Sequence, residues 1–152
     1  MLQIGAKAPE IELYDQNDNL FRLTEQTGKR VIVYFYSKDN TSGCTKQAIA
    51  FAGAFEQIKA LGAVLVGISK DTVQSHRKFA EKNQLPFTLL ADPEHRALED
   101  YEVWQEKTQC GKKVMGTVRA TYVIGPDGTV EHVWPKVKPE ANAADVVEYL
   151  SK

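Results

Sequence analysis

The chain has two thiols, and the first, Cys44, sits in Ser42-Gly43-Cys44-Thr45, where every neighbour is small or polar. Only the thiolate is a strong nucleophile, so what matters at Cys44 is whatever keeps it ionised. A free cysteine has a pKa of about 8.5, and at a helix start the unpaired backbone N–H groups and aligned peptide dipoles bring it down to roughly 3.5–7.5. Going from a few per cent ionised to nearly all is worth about 30-fold in rate, or roughly 2 kcal/mol, less what the lower basicity takes back. Ionisation alone is not catalysis. A further group must hold the substrate and stabilise charge on the leaving atom. The plain alternative for a lone cysteine is an inert buried side chain.

The flanking elements place Cys44 at such a helix start. Val31-Ile32-Val33-Tyr34-Phe35-Tyr36 is an unbroken apolar run, the pattern of a strand buried on both faces of a largely parallel sheet. Ser37 to Gly43 supply turn formers, and Ala48, Phe51, Ala52, Phe55, Ile58 and Leu61 then recur at helical spacing. The helix therefore begins near Thr41 or Ser42, with Cys44 in its first turn. Further on, Ala63–Ser69 predicts a second buried strand, and Thr72–Asn83 a helix with Asp71 and Gln74 as its capping signature. Thr88–Ala91 predicts a third strand, and Asp92-Pro93-Glu94 opens a helix to about Glu102. This alternation implies right-handed crossovers and a parallel core.

Ahead of that core, Ala8 to Leu23 reads as a small antiparallel hairpin around Asp15–Asn19. Asp15, Asn17 and Asn19 have calcium-loop spacing, but Leu20 and Gln26 stand where such a loop needs glycine and glutamate, which argues against calcium. Behind the core, Val118–Ile124 and Thr129–Val133 flank Gly125-Pro126-Asp127-Gly128 as a hairpin. Pro139 and Glu140 open a last helix with Ala143, Val146, Val147 and Leu150 on one face. Val103 to Met115 is polar and lysine-rich, with Gly111 as its only strong punctuation, and gives no pattern for an element. The order of elements is that of a thioredoxin-like α/β fold, a central mixed sheet flanked by helices with an N-terminal β-hairpin, forming one domain over residues 1–152.

Nineteen basic against twenty acidic residues give a net charge of −1, so no basic footprint marks a nucleic-acid or anionic-membrane partner. MLQIGAKAPEIELYD has neither a basic start nor a signal-peptide core, and no apolar stretch approaches the roughly 20 residues that cross a bilayer, so a cytoplasmic protein is expected. Two cysteines without CxxC spacing exclude a disulfide scaffold and a structural zinc site, and point to attack on an electrophile rather than dithiol shuttling. His76, His95 and His132 fall on three different elements without metal-pair spacing to either cysteine, and are expected as surface or helix-face residues. No GxGxxG or Walker pattern signals a nucleotide, and neither a metal nor an organic cofactor is expected. Trp104 and Trp134 are read as core or rim packing.

Ser37-Lys38-Asp39-Asn40-Thr41-Ser42-Gly43-Cys44-Thr45 resembles the Pro-x-x-x-Thr-x-x-Cys motif of peroxiredoxins, most closely the bacterioferritin comigratory protein or peroxiredoxin Q branch. The likeness extends over nearly the whole chain, through Ser75–Phe79, Leu85–Phe87, Leu89–Pro93, Met115–Arg119 and Lys136–Pro139. It implies a thiol-dependent peroxidase: the Cys44 thiolate attacks a hydroperoxide, hydrogen peroxide or organic, and becomes a sulfenic acid that a thiol reductant restores. On the same resemblance Thr41 orients the peroxide and Arg119 sits near the sulfur. Read without the likeness, Thr41 is a helix cap and Arg119 a surface strand charge.

The chain departs from the branch at four places. Ser37 replaces the motif proline, Ile49 stands where many members place a resolving cysteine, Ala52-Gly53 replaces Arg-Asp, and Cys110 stands where an aromatic is commoner. A one-cysteine mechanism is therefore preferred, with thioredoxin, glutaredoxin or a low-molecular-weight thiol attacking the sulfenic acid directly. Cys110 is the alternative resolver, reached after local unwinding of the cysteine helix. The chain is expected as a monomer or homodimer. The rival functions are a thiol-disulfide oxidoreductase, against which the missing CxxC argues, and a non-enzymatic peroxide sensor, which would need no efficient recycling.

Overall fold

A computed structural model describes residues 1–152. In chain order the strands are β1 (Glu12–Tyr14), β2 (Leu20–Arg22), β3 (Arg30–Phe35), β4 (Ala63–Ser69), β5 (Thr88–Ala91), β6 (Trp104–Gln109), β7 (Lys112–Thr117), β8 (Ala120–Ile124) and β9 (Val130–Trp134). The helices are α1 (Ser42–Ala60), α2 (Val73–Asn83), α3 (Arg96–Asp100) and α4 (Asn142–Leu150). The central sheet has the order β5-β4-β3-β8-β9, parallel among β3, β4 and β5 and antiparallel at β3–β8 and β8–β9. This is the expected mixed α/β sheet, with the N-terminal hairpin present as β1–β2.

β3 lies in the middle because its side chains feed both faces. Val31, Val33 and Phe35 pack with Val66, Ile68, Leu98, Tyr101 and Tyr122 on one side. Ile32 and Tyr34, with Tyr36 just beyond, pack with Phe51, Ile58, Phe79 and Val146 on the other, under α1, α2 and α4. The period-2 alternation of a strand thus splits one apolar run between two cores, and full burial of each such side chain is worth about 1.5–3 kcal/mol. Tyr34 stacks on Phe51 at 4.5 Å between ring centroids, and it crosses Gly67 so closely that a Cβ there would lie 2.7 Å from the ring.

Several local expectations are corrected. α2 is capped by Thr72, whose hydroxyl accepts from Ser75 N–H at 3.1 Å, because Asp71 is taken up by Ser69 and Asp39 instead. α3 begins only at Arg96: the Asp92 carboxylate accepts from the N–H groups of Arg96 and Leu98, and His95 turns through the left-handed region at φ 62°. α4 begins at Asn142, after a turn in which Lys138 C=O accepts from Ala141 and Asn142. The segment without a pattern is a hairpin, β6–β7, turning at Cys110 (φ 52°) and Gly111 (φ 76°) as a two-residue turn with both angles positive. Its residues are exposed on both faces for most of its length, so no apolar alternation announced it. At the β1–β2 turn, Asp15 Oδ1 accepts from the N–H groups of Asn17 and Asn19, a structural use of that acidic loop. No helix is long and apolar enough to cross a membrane.

Candidate active site

β3 ends beneath a short loop, Ser37–Thr41, and α1 begins at Ser42, where Thr41 C=O accepts the first intrahelical bond from Thr45 N–H at 2.9 Å. Cys44 therefore stands in the first turn, where backbone N–H groups lack intrahelical partners. It is only 1% exposed, under the half-buried Ser37, Gly43 and Arg119, and so lies just below the surface. Arg119, in the link between β7 and β8, donates from Nη2 to Cys44 Sγ at 3.3 Å and from Nη1 to Gln47 Oε1 at 2.6 Å.

The guanidinium is aimed by three elements. Gln47, one turn after Cys44 on α1, offers Oε1 to Arg119 and Nε2 to Asn142 Oδ1 at 3.0 Å. Since Arg119 can only donate, that orientation of the Gln47 amide is the one that satisfies both neighbours. Thr121 of β8 donates to the same Asn142 oxygen at 2.8 Å, and Arg119 C=O accepts from Val137 N–H at 3.1 Å. Gly43 gives the room: a Cβ there would lie 3.3 Å from Arg119 Nη2 and 3.5 Å from Pro139 Cγ. Gln47, Asn142 and Thr121 were missed in the sequence. The available signal was a polar residue at 47 on the helix face that Cys44, Ala48 and Phe51 otherwise bury.

Burial pushes the Cys44 thiol up, but the hydroxyls of Ser37 and Thr41, the Lys38 backbone N–H and the Arg119 guanidinium outweigh it, and the net displacement is downward. Ser37 Oγ lies 3.4 Å from the sulfur. Thr41 is exposed and donates to Lys38 C=O at 3.0 Å, so it stands at the N-cap position without capping through its side chain. Lys107 of β6 reaches back to donate to Thr117 C=O, and desolvation with the nearby Arg119 charge lowers its pKa.

A buried network fixes the loop from below. Asp39 accepts from Tyr36 OH (2.6 Å) and Ser75 Oγ (2.8 Å) and pairs with His76 Nδ1 (2.8 Å), while its own N–H donates to Asp71 (2.9 Å). His76 Nε2 faces Leu90 C=O at 3.0 Å, so each ring nitrogen has a polar partner inside the protein. His76 is thus not a surface residue but wholly buried, tying α2 and β5 to the loop. Asp39, Asp71 and His76 offer ligand atoms within 4.8 Å of one another. Asp39 Oδ2 already meets Ser75 Oγ and His76 Nδ1, and Asp71 Oδ2 already accepts from Asp39 N–H and Ser69 Oγ, so a cation on these atoms would compete with partners in place.

Cys110 lies at the exposed tip of the β6–β7 hairpin, and both thiols are free, so a bond between them requires the buried sulfur to be brought out. Ile49 is 52% exposed on α1. The cavity of about 420 Å³ lined by Lys7, Thr24, Val31, Ile124 and Pro126 sits at the opposite end of β3, and neither cysteine lines it.

The sequence model of the AhpC/TSA family matches residues 4–133. The chain is 40% identical over 149 residues to peroxiredoxin Bcp of Bacillus subtilis, covering 98% of this chain and 95% of that one. It is 41% identical over 146 residues to peroxiredoxin Bcp of Escherichia coli, covering 96% and 93%. Among solved structures, the bacterioferritin comigratory protein of Xanthomonas campestris superposes with a TM-score of 0.92 at 29% identity over 98% of both chains. Peroxiredoxin Q of Xylella fastidiosa superposes with a TM-score of 0.94 at 28% identity, over 99% of this chain and 96% of that one.

Proposed function

The chain belongs to the AhpC/TSA family, in its peroxiredoxin Bcp and peroxiredoxin Q branch, and is a thiol-dependent peroxidase; from that premise we propose that Cys44 is its peroxidatic nucleophile, with Thr41 and Arg119 as supporting groups. The observation that carries this is the 3.3 Å approach of Arg119 Nη2 to Cys44 Sγ in the first turn of α1. The Cys44 thiolate attacks the terminal oxygen of the hydroperoxide. An S–O bond forms as the O–O bond breaks, sulfur is oxidised to the sulfenic acid, and the departing oxygen takes a proton from solvent to leave as water or an alcohol. Arg119 stabilises the charge passing from sulfur to oxygen, and Thr41, turning its hydroxyl from Lys38, orients the peroxide. The Xanthomonas campestris relative has alkyl peroxide reduction activity, and we extend that substrate class to this chain beside hydrogen peroxide.

The reductant is a thiol of the thioredoxin type in general terms. With Ile49 in place of a helical partner cysteine, an external thiol attacks the sulfenic sulfur, water leaves, and a second thiol releases Cys44 from the mixed disulfide. The exposure of Cys110 favours a second reading, in which it takes the place of that external thiol.

Cys44→Ser is expected to abolish peroxide consumption, and Arg119→Ala to lower kcat/KM by about 100-fold with the far-UV circular dichroism unchanged, the range in which single groups that stabilise developing charge fall. Turnover surviving in Cys44→Ser would falsify the assignment.

A further inference from the structure

The motif position that the branch fills with proline is Ser37 here, and its Oγ lies 3.4 Å from Cys44 Sγ. A thiolate offers only lone pairs, so once Cys44 is ionised the hydroxyl is the donor of this pair. Within the protein the sulfur is the hydroxyl's one hydrogen-bond partner, whereas Thr41 gives its proton to Lys38 C=O. Ser37 is half-buried at the end of β3, so water competes with the sulfur only in part. We propose that Ser37 is a further catalytic residue, a hydroxyl that donates to the Cys44 thiolate and extends the peroxidase to lower pH than a side chain without a donor would allow. This rests on Cys44 being the peroxidatic nucleophile.

The balance of forces on the sulfur agrees. Burial opposes ionisation, and Ser37 stands first among the groups that offset it, ahead of Thr41, the Lys38 backbone and Arg119. The other titratable side chains that act on the sulfur are Arg119 in the β7–β8 link, Lys107 of β6 and Tyr34 of β3. A guanidinium does not titrate at any working pH, and burial raises the Tyr34 hydroxyl well above its ordinary value. Lys107 is lowered by desolvation, and its side chain is held by Thr117 rather than by Ser37. A change at Ser37 therefore alters one donor and leaves these charges in place.

A donor that stabilises the thiolate also makes it less nucleophilic, with a Brønsted coefficient of about 0.4–0.5. Removing the hydroxyl therefore tilts the pH profile rather than lowering it throughout. If the midpoint rises by about one unit, the thiolate fraction at low pH falls about 10-fold while each thiolate reacts about 3-fold faster, a net loss of about 3-fold. Above both midpoints only the gain of about 3-fold remains.

The test compares the unmodified chain with Ser37→Ala and Ser37→Thr between about pH 5 and pH 9, across the span of cysteine pKa values. One readout is the rate of iodoacetamide alkylation at the Cys44 peptide by mass spectrometry, the other the stopped-flow rate of hydrogen peroxide consumption. In Ser37→Ala the alkylation midpoint should move to higher pH and the two rate profiles should cross, while Ser37→Thr, which keeps a hydroxyl, restores the original midpoint. Superimposable profiles, or an even loss at every pH with the midpoint unmoved, would overturn the proposal. Turnover surviving in Cys44→Ser would instead remove the premise, an outcome the alkylation midpoint does not depend on.

Discussion

At the scale of single residues, the reactivity of Cys44 is a contest between burial, which disfavours the anion, and a small set of donors that outweigh it. Because the net displacement is downward, the peroxidase rate should rise with pH and level off at a midpoint below the ordinary cysteine value, the anion being the reactive form above that midpoint and lost below it. Arg119 supplies its part only if aimed, and Gln47 aims it. Gln47→Leu keeps the apolar volume on α1 but removes the acceptor, leaving the guanidinium to swing. We expect kcat/KM to fall about 10-fold, with a stability loss of about 1–3 kcal/mol from the unpaired polar groups left behind. Steady-state kinetics beside urea unfolding checks both, and unchanged kinetics would deny Gln47 this role. In the sequence, Cys44 was legible because a helix start has local markers. Thr41 and Arg119 were reached only through family likeness, and Ser37 was seen as a lost proline rather than a gained donor.

At the scale of elements, the loop Ser37–Thr41 is held in shape by what lies beneath it. Asp39 collects donors from Tyr36, Ser75 and His76, and His76 carries the tie on to Leu90 of β5. Both members of the pair are buried, His76 at 0% and Asp39 at 3% exposure, so removing one leaves the other uncompensated. His76→Ala should destabilise the chain by about 3 kcal/mol, read as a lower urea midpoint, and should slow peroxide consumption through loosening of the loop. A midpoint shift near zero would mean that the pair does not anchor it. The long apolar strands and helices of this region were legible from periodicity alone. The β6–β7 hairpin was not, since side chains in solvent on both faces leave no alternation to read, and the start of α3 was misplaced because Asp92 caps through a turn rather than directly.

At the scale of the whole molecule, the two thiols belong to regions of different stability. Cys44 lies in the first turn of a helix that packs on the sheet and on α4, whereas Cys110 tips a two-stranded arm that pairs with no other strand. Bringing them together requires Cys44, 1% exposed and held by Arg119, to turn its sulfur out of the first turn of α1. After one equivalent of peroxide without reductant, mass spectrometry should therefore find Cys44 as sulfenic or more highly oxidised acid rather than joined to Cys110. A dominant Cys44–Cys110 disulfide would instead establish the arm as the resolving element.

The sequence by itself determined the element order, the mixed α/β sheet, the helix start at Cys44 and the family, because these depend on local spacing and on short motifs. Only the tertiary structure decided which distant side chains meet the sulfur. Arg119, Gln47, Asn142 and Thr121 converge from α1, α4, β8 and the β7–β8 link, and His76 is drawn inward by a carboxylate far from it along the chain. Hydrogen bonds of this kind depend on positions to a few tenths of an ångström, which chain order does not encode until the sheet and helices have packed.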